Sequence, residues 1–205
     1  MLIFWKTQTV MYSKTNIFSF KEDPKKIKAG SVLVSEPFSR DPHFSKSVVL
    51  ITEHNDKGTV GFILNKPVKM ALSDLMKDFP NIDTNISIGG PVETNSVHFI
   101  HTLGQQIEGT KEVNDGLFWG GNFKKLQQLV SLGLVDQRHV KFFIGYAGWK
   151  PKQLETEIDN NYWKITNLQN TEILDNDPRM WYNTVARFGE AFKPWLNVPE
   201  NPAWN

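Results

Sequence analysis

The sequence predicts an α+β fold in a single compact domain, and three observations lead to this. The chain has 205 residues, which is long enough to bury a sizeable core without disulfides or metals. Apolar stretches such as SVLVSEPF, SVVLITEH and TVGFILNK follow one another closely, which is typical of adjacent strands. Helical patterns lie between other strands without regular alternation, which favours α+β over a parallel α/β sheet.

The predicted strands are short and nearly all apolar, which indicates that both faces of the sheet are covered. HNDKGT, which begins at His54, predicts a hairpin loop in which Gly58 takes a positive φ. NISIGGPV, VHFIHTL and YWKITN predict three further short strands. The main strands of one β-rich core are expected at residues 32–36, 47–54, 58–65 and 140–147.

Four segments predict helices outside the sheet, from the spacing of their apolar side chains and from their end signals. In FKKLQQLVSLG, Asn122 is the expected N-cap and Gly133 the expected C-cap. Pro80 ends the first helix, Pro151 suits the first turn of the third, and Asp177 can cap the last. The four helices are expected near residues 71–79, 123–132, 151–160 and 178–188.

Composition divides the chain into three parts. Residues 1–29 have no steady period and predict an irregular N-terminal arm, residues 30–190 form the domain, and the Pro- and Trp-bearing residues 191–205 predict an extended tail. The apolar run at residues 2–5 is too short for a secretory signal, and no segment approaches the length of a membrane helix. There are no cysteines, which fits a cytoplasmic protein.

The charge pattern gives no support for nucleic-acid binding. The net charge is +1, whereas such binding usually needs a concentrated positive field. FKKLQQLVSLGLVDQRHV could open a helix-turn-helix, but its second half runs into β-branched and aromatic residues that predict a strand. We therefore expect no sequence-specific binding to duplex DNA.

Most familiar catalytic and metal motifs are absent. Neither G-x-S-x-G nor H-E-x-x-H occurs, and GQQIEGTK lacks the lysine that a P-loop needs directly after its second glycine. His98 and His101 are three apart in a predicted strand, so they point to opposite faces and cannot share a metal. We expect no metal site and no cofactor.

DPHFSKSVVL holds the residues of a possible nucleophilic site. Asp41 or His43 could accept a proton from Ser45 or Ser47, but such a site also needs hydrogen-bond contact and an oxyanion hole. Asp41-Pro42 is also a common way to open a turn, and the turn alone would explain the residues.

GYAGWKPKQLETEI predicts a buried strand that ends in an aromatic turn and leads into a helix. Leu154 and Ile158 share one helix face, with Glu155 and Glu157 directed away from it. Trp149 is expected to be mostly buried between strand and helix. The turn is either a structural corner or one wall of a pocket. The candidate pocket residues are His54, Asn65, Gly89, Gly90, His101, Gly145, Tyr146, Trp149 and Gln153.

The ordered segments GSVLVSEPF, DPHFSKSVVL, HNDKGTVGFILNKP, GGPV, GLFWGGNF and FIGYAGWKPKQLETEI resemble the AlgH/YqgE-like family of bacterial proteins. The resemblance covers residues 28–190, and the chain's ending is similar to that of the Bacteroidetes branch. It implies a strongly bent mixed β-sheet that forms a partial barrel with helices outside. Lys152 and Asn122 depart from the glycine and aspartate that are common in the family.

The resemblance implies no reaction, although some members of the family are labelled transcriptional regulators. Our leading hypothesis is a soluble binding or regulatory protein without catalytic machinery, whose partner is an unknown protein or small molecule. One alternative is a small-molecule enzyme that uses His54, His101 or Asp41 as acid or base. A second alternative is a nucleic-acid-binding regulator.

Overall fold

The sheet is built around one long strand, β8, to which three other strands pair. The computed structural model describes residues 22–39, 41–80 and 82–198, and within these ranges nine strands form one sheet. The strands are β1 (Val32–Ser35), β2 (Val48–Asn55), β3 (Gly58–Ile63), β4 (Asn85–Ile88), β5 (Val92–His101), β6 (Lys111–Asn114), β7 (Leu117–Trp119), β8 (Val140–Trp149) and β9 (Trp163–Thr166).

The strand order is β6-β7-β5-β8-β3-β2-β1-β9, with β4 also paired to β8. The β4–β8 pair is parallel and the other pairs are antiparallel, so the sheet is mixed. The predicted α+β class, single domain and bent mixed sheet are confirmed. The sheet stays open and does not close into a barrel, because its order ends at β6 and β9.

The expected strands are confirmed with shifts of one or two residues at their ends. The predicted hairpin joins β2 to β3, and Gly58 has a φ of 131°. The segment GTKEVNDGLFWGG, which is not among the expected strands, contains the additional hairpin β6–β7. Its strands were missed because they are short, at four and three residues.

A close backbone contact bends the sheet where β8 changes neighbours. Gly89 follows β4 and bridges β8 to β3: its N–H donates to Ile144 O at 2.8 Å, and its carbonyl accepts from Ile63 N at 2.9 Å. A Cβ atom on Gly89 would lie 2.2 Å from Gly145 O, so only glycine fits. Gly145 itself has a φ of 65°, which turns β8 away from β4.

The helices in the described ranges match the prediction in part. The second predicted helix is confirmed, and Asn122 Oδ1 accepts from Lys125 N at 3.1 Å as its cap. The first is much shorter than expected. The fourth helix in chain order was not predicted. The helices are α1 (Leu72–Leu75), α2 (Phe123–Ser131), α3 (Gln153–Asp159), α4 (Asn170–Leu174), α5 (Met180–Ala186) and α6 (Lys193–Leu196).

The predicted extended tail is wrong over its first residues. Glu190–Phe192 forms a 3-10 turn, and α6 follows it directly. Trp195 on α6 is fully buried and stacks parallel to Trp181 of α5, with ring centroids 6.5 Å apart. Burial of this large apolar ring holds α6 against the rest of the domain. Residues 1–21 of the predicted arm and residues 199–205 of the predicted tail lie outside the described residues.

Both faces of the sheet are buried, as the apolar strands predicted. Alternate residues of β2 enter different clusters: Val48 and Leu50 face α4, α5 and α6, whereas Val49 and Ile51 face α3. A third cluster joins α1 and α2 to β4, β5 and β8. In the described part of the chain, no helix combines the length and the apolar character that crossing a membrane requires.

A buried lysine connects the sheet to α4. Lys141 on β8 is fully buried, and its Nζ donates to Leu64 O at 2.8 Å and to the carbonyl of Asp175, the C-cap of α4. Burial lowers the pKa of Lys141 to about 7, and the charge of Asp175 opposes that shift. Folding therefore favours loss of a proton from this group in neutral and mildly alkaline solution.

Stability should rise with pH because of Lys141. The unfolded chain holds this proton up to a pKa near 10.5, whereas the folded chain releases it near 7. Between these values the unfolded state binds more protons, so the free energy of unfolding gains up to about 1.4 kcal/mol per pH unit. Denaturant unfolding of wild type and Lys141→Met should show this gain in the wild type alone. Lys124→Met replaces an exposed lysine and is the control, so its stability should rise with pH as in the wild type. If the free energies of unfolding of Lys141→Met and wild type depend on pH in the same way, the prediction is contradicted.

Lys152 adopts a backbone conformation that favours glycine. It has a φ of 67°, in the left-handed region, so α3 begins at Gln153 and not at the predicted Pro151. We expect Lys152→Gly to stabilise the protein by about 0.5–1 kcal/mol, because glycine relieves this strain. Lys150→Gly, at a position without positive φ, should give no gain. Denaturant unfolding measures both, and equal effects of the two substitutions would refute the explanation.

Candidate functional site

A cleft of about 280 Å³ lies where the end of β8 meets the start of α3. We call it the Trp149 cleft. Its other walls come from β9, from the 3-10 turn Pro42–Phe44 and from the loop after β1. The lining residues are Glu36, Ser39, Asp41, Phe44, Pro91, Gly148, Trp149, Gln153, Glu157, Tyr162 and Trp163.

Three aromatic rings form one continuous surface of the cleft. Phe44 stacks on Trp149 with ring centroids 5.8 Å apart, and its ring is edge-on to Trp163 at 5.5 Å. The two tryptophans also meet edge to face at 6.0 Å. Both indoles are nearly fully buried, at 5% and 3% exposed, while Phe44 is half-buried. This mutual contact fixes the rings before any ligand arrives.

Glu157 on α3 holds both tryptophans. Its Oε2 accepts from Trp149 Nε1 at 2.9 Å and from Trp163 Nε1 at 2.8 Å. The prediction that Glu157 points away from the buried side of α3 is wrong, since the side chain reaches along the helix edge to the indoles. Leu154 and Ile158 are buried as predicted. The arrangement leaves a carboxylate whose three side-chain partners, two indoles and one amide, are neutral donors.

Gln153 supports Glu157 from one helical turn earlier. Its Nε2 donates to Glu157 Oε1 at 3.0 Å, and its Oε1 accepts from Lys150 N at 3.0 Å. The side chain therefore satisfies a backbone N–H before α3 and also sets the position of the carboxylate. Gln153 is a predicted site residue that does lie in the cleft.

Acidic side chains are among the described residues that line the cleft. Asp41 Oδ1 accepts from the N–H of His43 and lies 2.9 Å from His43 Nδ1. Glu36 lines the same cleft. Of the eleven described lining residues, three bear carboxylates and none bears a lysine, arginine or histidine side chain. The lining is therefore aromatic and acidic.

The three predicted glycines serve the bend of the sheet. Gly89, Gly90 and Gly145 lie where backbone packs on backbone, and a Cβ on Gly90 would lie 2.2 Å from Tyr146 O. Tyr146 lines another cavity, of about 400 Å³. The two cavities share Gly148 and Trp149.

Asn65 and His54 lie elsewhere. Asn65 is buried; its Oδ1 accepts from Val48 N and its Nδ2 donates to Lys46 O, both at 2.9 Å, so it joins two segments of backbone. His54 contacts Thr59 Oγ1 at 2.7 Å and lines a different cavity with Glu155. Neither is among the residues that line the Trp149 cleft.

His101 is fully buried and satisfied on both ring nitrogens. Leu103 N donates to Nδ1 at 3.2 Å, which assigns the proton to Nε2, and Nε2 then donates to Gly120 O at 3.1 Å. Burial lowers the pKa of His101, and the bond to Gly120 opposes this shift. These contacts describe a neutral core histidine. His98 packs on Phe62 and Tyr146, on the opposite face of β5, as predicted.

The three groups considered as acid or base occupy three different places. Asp41 lines the Trp149 cleft, His54 lines a second cavity, and His101 is fully buried. Near Asp41, Ser47 is buried and its hydroxyl donates to His43 O at 3.3 Å. That hydroxyl is engaged by backbone and does not meet the Asp41 carboxylate.

Sequence reasoning missed most of the cleft. Phe44, Tyr162 and Trp163 were not among the candidates, because they come from segments far apart in the chain. One signal was available: Gln153 and Glu157 are four apart, so they share a helix face beside the predicted Trp149. The structure shows that the corner and the pocket wall are one feature, because Trp149 is buried and lines the cleft.

Comparison of the sequence with known proteins leads to one family. A sequence model described as AlgH-like matches residues 32–193. The chain belongs to the AlgH-like family. A UPF0301 protein of Chlorobaculum parvum is 38% identical over 180 residues, which is 87% of this chain and 96% of the relative. A UPF0301 protein of Bacteroides fragilis is 34% identical over 197 residues, covering 95% of this chain and 100% of the relative.

Two solved structures share the AlgH-like fold. The crystal structure of a Corynebacterium diphtheriae protein superposes with a TM-score of 0.71 at 21% identity, over 88% of this chain and 95% of that one. The solution structure of AlgH from Pseudomonas aeruginosa gives a TM-score of 0.65 at 23% identity, over 89% and 100%. At these identities the likeness shows the fold alone.

Trp149 should be needed for stability as well as for the shape of the cleft. We expect Trp149→Ala to reduce the free energy of unfolding by about 3–5 kcal/mol, the usual result of deleting a large buried ring. Trp149→Phe keeps a ring but loses one hydrogen bond to Glu157, and we expect it to reduce the free energy of unfolding by about 1–2 kcal/mol. Tyr162→Ala, at a side chain that is 41% exposed, is the matched aromatic control and should change stability by less than about 1 kcal/mol. Denaturant unfolding measures all three variants. If Trp149→Ala reduces the free energy of unfolding by less than about 1 kcal/mol, Trp149 is not a core residue.

Proposed function

We propose that this AlgH-like chain is a binding protein of the cytoplasm, and that it holds a small organic molecule in the Trp149 cleft without transforming it. The observation that carries this proposal is the pre-formed wall of the cleft. Phe44, Trp149 and Trp163 are locked by ring contacts and by Glu157, so a ligand would meet an ordered surface. Ordering in advance lowers the entropy that binding must overcome.

The size and lining of the cleft support a small ligand. Its volume of about 280 Å³ is near the lower end of the roughly 300–1,000 Å³ that is common for small-molecule sites. Aromatic side chains together with a few fixed polar groups are typical of such sites. The separation of Asp41, His54 and His101 supports binding over acid–base catalysis, because catalysis needs such groups to converge.

The nucleic-acid alternative has less support. A helix-turn-helix would need a recognition helix after Gly133, whereas the chain there makes a turn at residues 136–139 and enters β8. The chain's net charge of +1 also gives little attraction to phosphates. We therefore propose a small molecule, not duplex DNA, as the partner.

Ligand capture from a small-molecule extract of bacterial cells tests the proposal. The purified chain is incubated with the extract, separated from unbound compounds by gel filtration, denatured and analysed by mass spectrometry. We expect at least one compound to be enriched by the wild type. Tyr162→Ala should retain about fivefold less of it, since this exposed ring lines the cleft and its loss is worth about 1 kcal/mol.

Leu134→Ala is the matched control, because Leu134 is an exposed apolar side chain outside the lining of the cleft. It should retain the compound as the wild type does. A compound that both variants retain equally would place binding elsewhere on the protein. Conversion of a captured compound into a product would contradict the absence of catalysis.

A further inference from the structure

The charged groups that line the Trp149 cleft indicate which class of ligand it would bind. Two lining carboxylates, on Asp41 and Glu157, face a space whose described lining residues bear no basic side chain. An anionic ligand would meet like charges there, whereas a cation would meet opposite charges. The apolar ring surface adds a second attraction for a cation, because the faces of aromatic rings carry negative potential.

The hydrogen bonds already present distinguish between kinds of cation. A guanidinium prefers a carboxylate whose two oxygens are both open, so that two parallel hydrogen bonds form. Glu157 does not offer this, since Oε2 already accepts from two indoles and Oε1 accepts from Gln153. Asp41 Oδ1 is likewise engaged by His43.

A cation that needs no hydrogen bonds suits these groups better. A quaternary ammonium has no N–H donors, so it gains from charge and from ring contact alone. The oxygens of Glu157 accept from neutral donors, and Phe44 and Tyr162 line the same cleft. The carboxylate therefore attracts the charge from a distance and the rings contact the alkyl groups.

We propose that the ligand of the Trp149 cleft carries a quaternary ammonium group, or a tertiary amine of similar shape. This inference rests on the proposed function, since it names the chemical class of the small molecule that the cleft holds. Glu157 supplies the central charge, and Asp41 adds to it.

Choline and 3,3-dimethylbutan-1-ol make the direct test, because they have the same shape and differ in the positive charge. Titration calorimetry of the full chain should give an affinity for choline about tenfold above that for the neutral alcohol. Glu157→Gln removes the charge with little change in shape and should abolish this preference. Glu155→Gln makes the same change two residues earlier on α3, outside the cleft, and should keep it.

Asp41→Asn provides a second variant in case Glu157→Gln unfolds, because Asp41 is exposed and asparagine can still accept from His43 N. It should reduce the preference for choline by about threefold. Butylguanidinium tests the choice among cations, and we expect it to bind more weakly than choline.

Equal affinity for choline and the alcohol, or no binding of choline, would overturn the proposed ligand class. Tighter binding of butylguanidinium would do the same. None of these results touches the broader proposal of a ligand-binding cleft, which capture from the extract by wild type and Tyr162→Ala tests independently. The two proposals can therefore fail separately.

Discussion

The close packing of Gly89 against β8 is the contact on which the rest of the architecture depends. Gly89 donates to Ile144 and accepts from Ile63, so it occupies the point where β8 exchanges β4 for β3 as its neighbour. Gly145 turns the strand there with a positive φ. Without side chains at these positions the two halves of the sheet can share one strand, and the last residues of β8 extend beneath α3.

That path of β8 determines where the candidate site forms. Trp149 is the final residue of β8, and Trp163 begins β9 at the edge of the sheet. The curvature brings both rings against α3, where Glu157 accepts from each indole. A buried indole N–H needs an acceptor, and one carboxylate serves both. The same interaction stabilises the corner and fixes a carboxylate beside an aromatic wall, so the groups that stabilise the fold are also those that would contact the proposed ligand.

Most of the site residues predicted from the sequence have structural roles. Gly89, Gly90, Gly145, Asn65 and His101 are unusual residues in conspicuous segments, and all five serve the backbone or the core. A glycine that allows the close approach of another strand cannot be distinguished from the sequence from a glycine that allows the close approach of a ligand. Trp149 and Gln153 do line the cleft. They were found because the turn between a buried strand and a helix is a local feature.

The α+β class, the positions of the main strands, the α2 cap at Asn122 and the burial of Trp149 followed from the sequence, because each depends on neighbours within about one turn of helix or one strand. The tertiary structure alone decided the strand order, the bend at Gly145 and the meeting of Phe44, Trp149, Glu157 and Trp163. These depend on contacts between segments that are far apart in the chain. Periodicity shows which face of an element is buried but not which other element covers it.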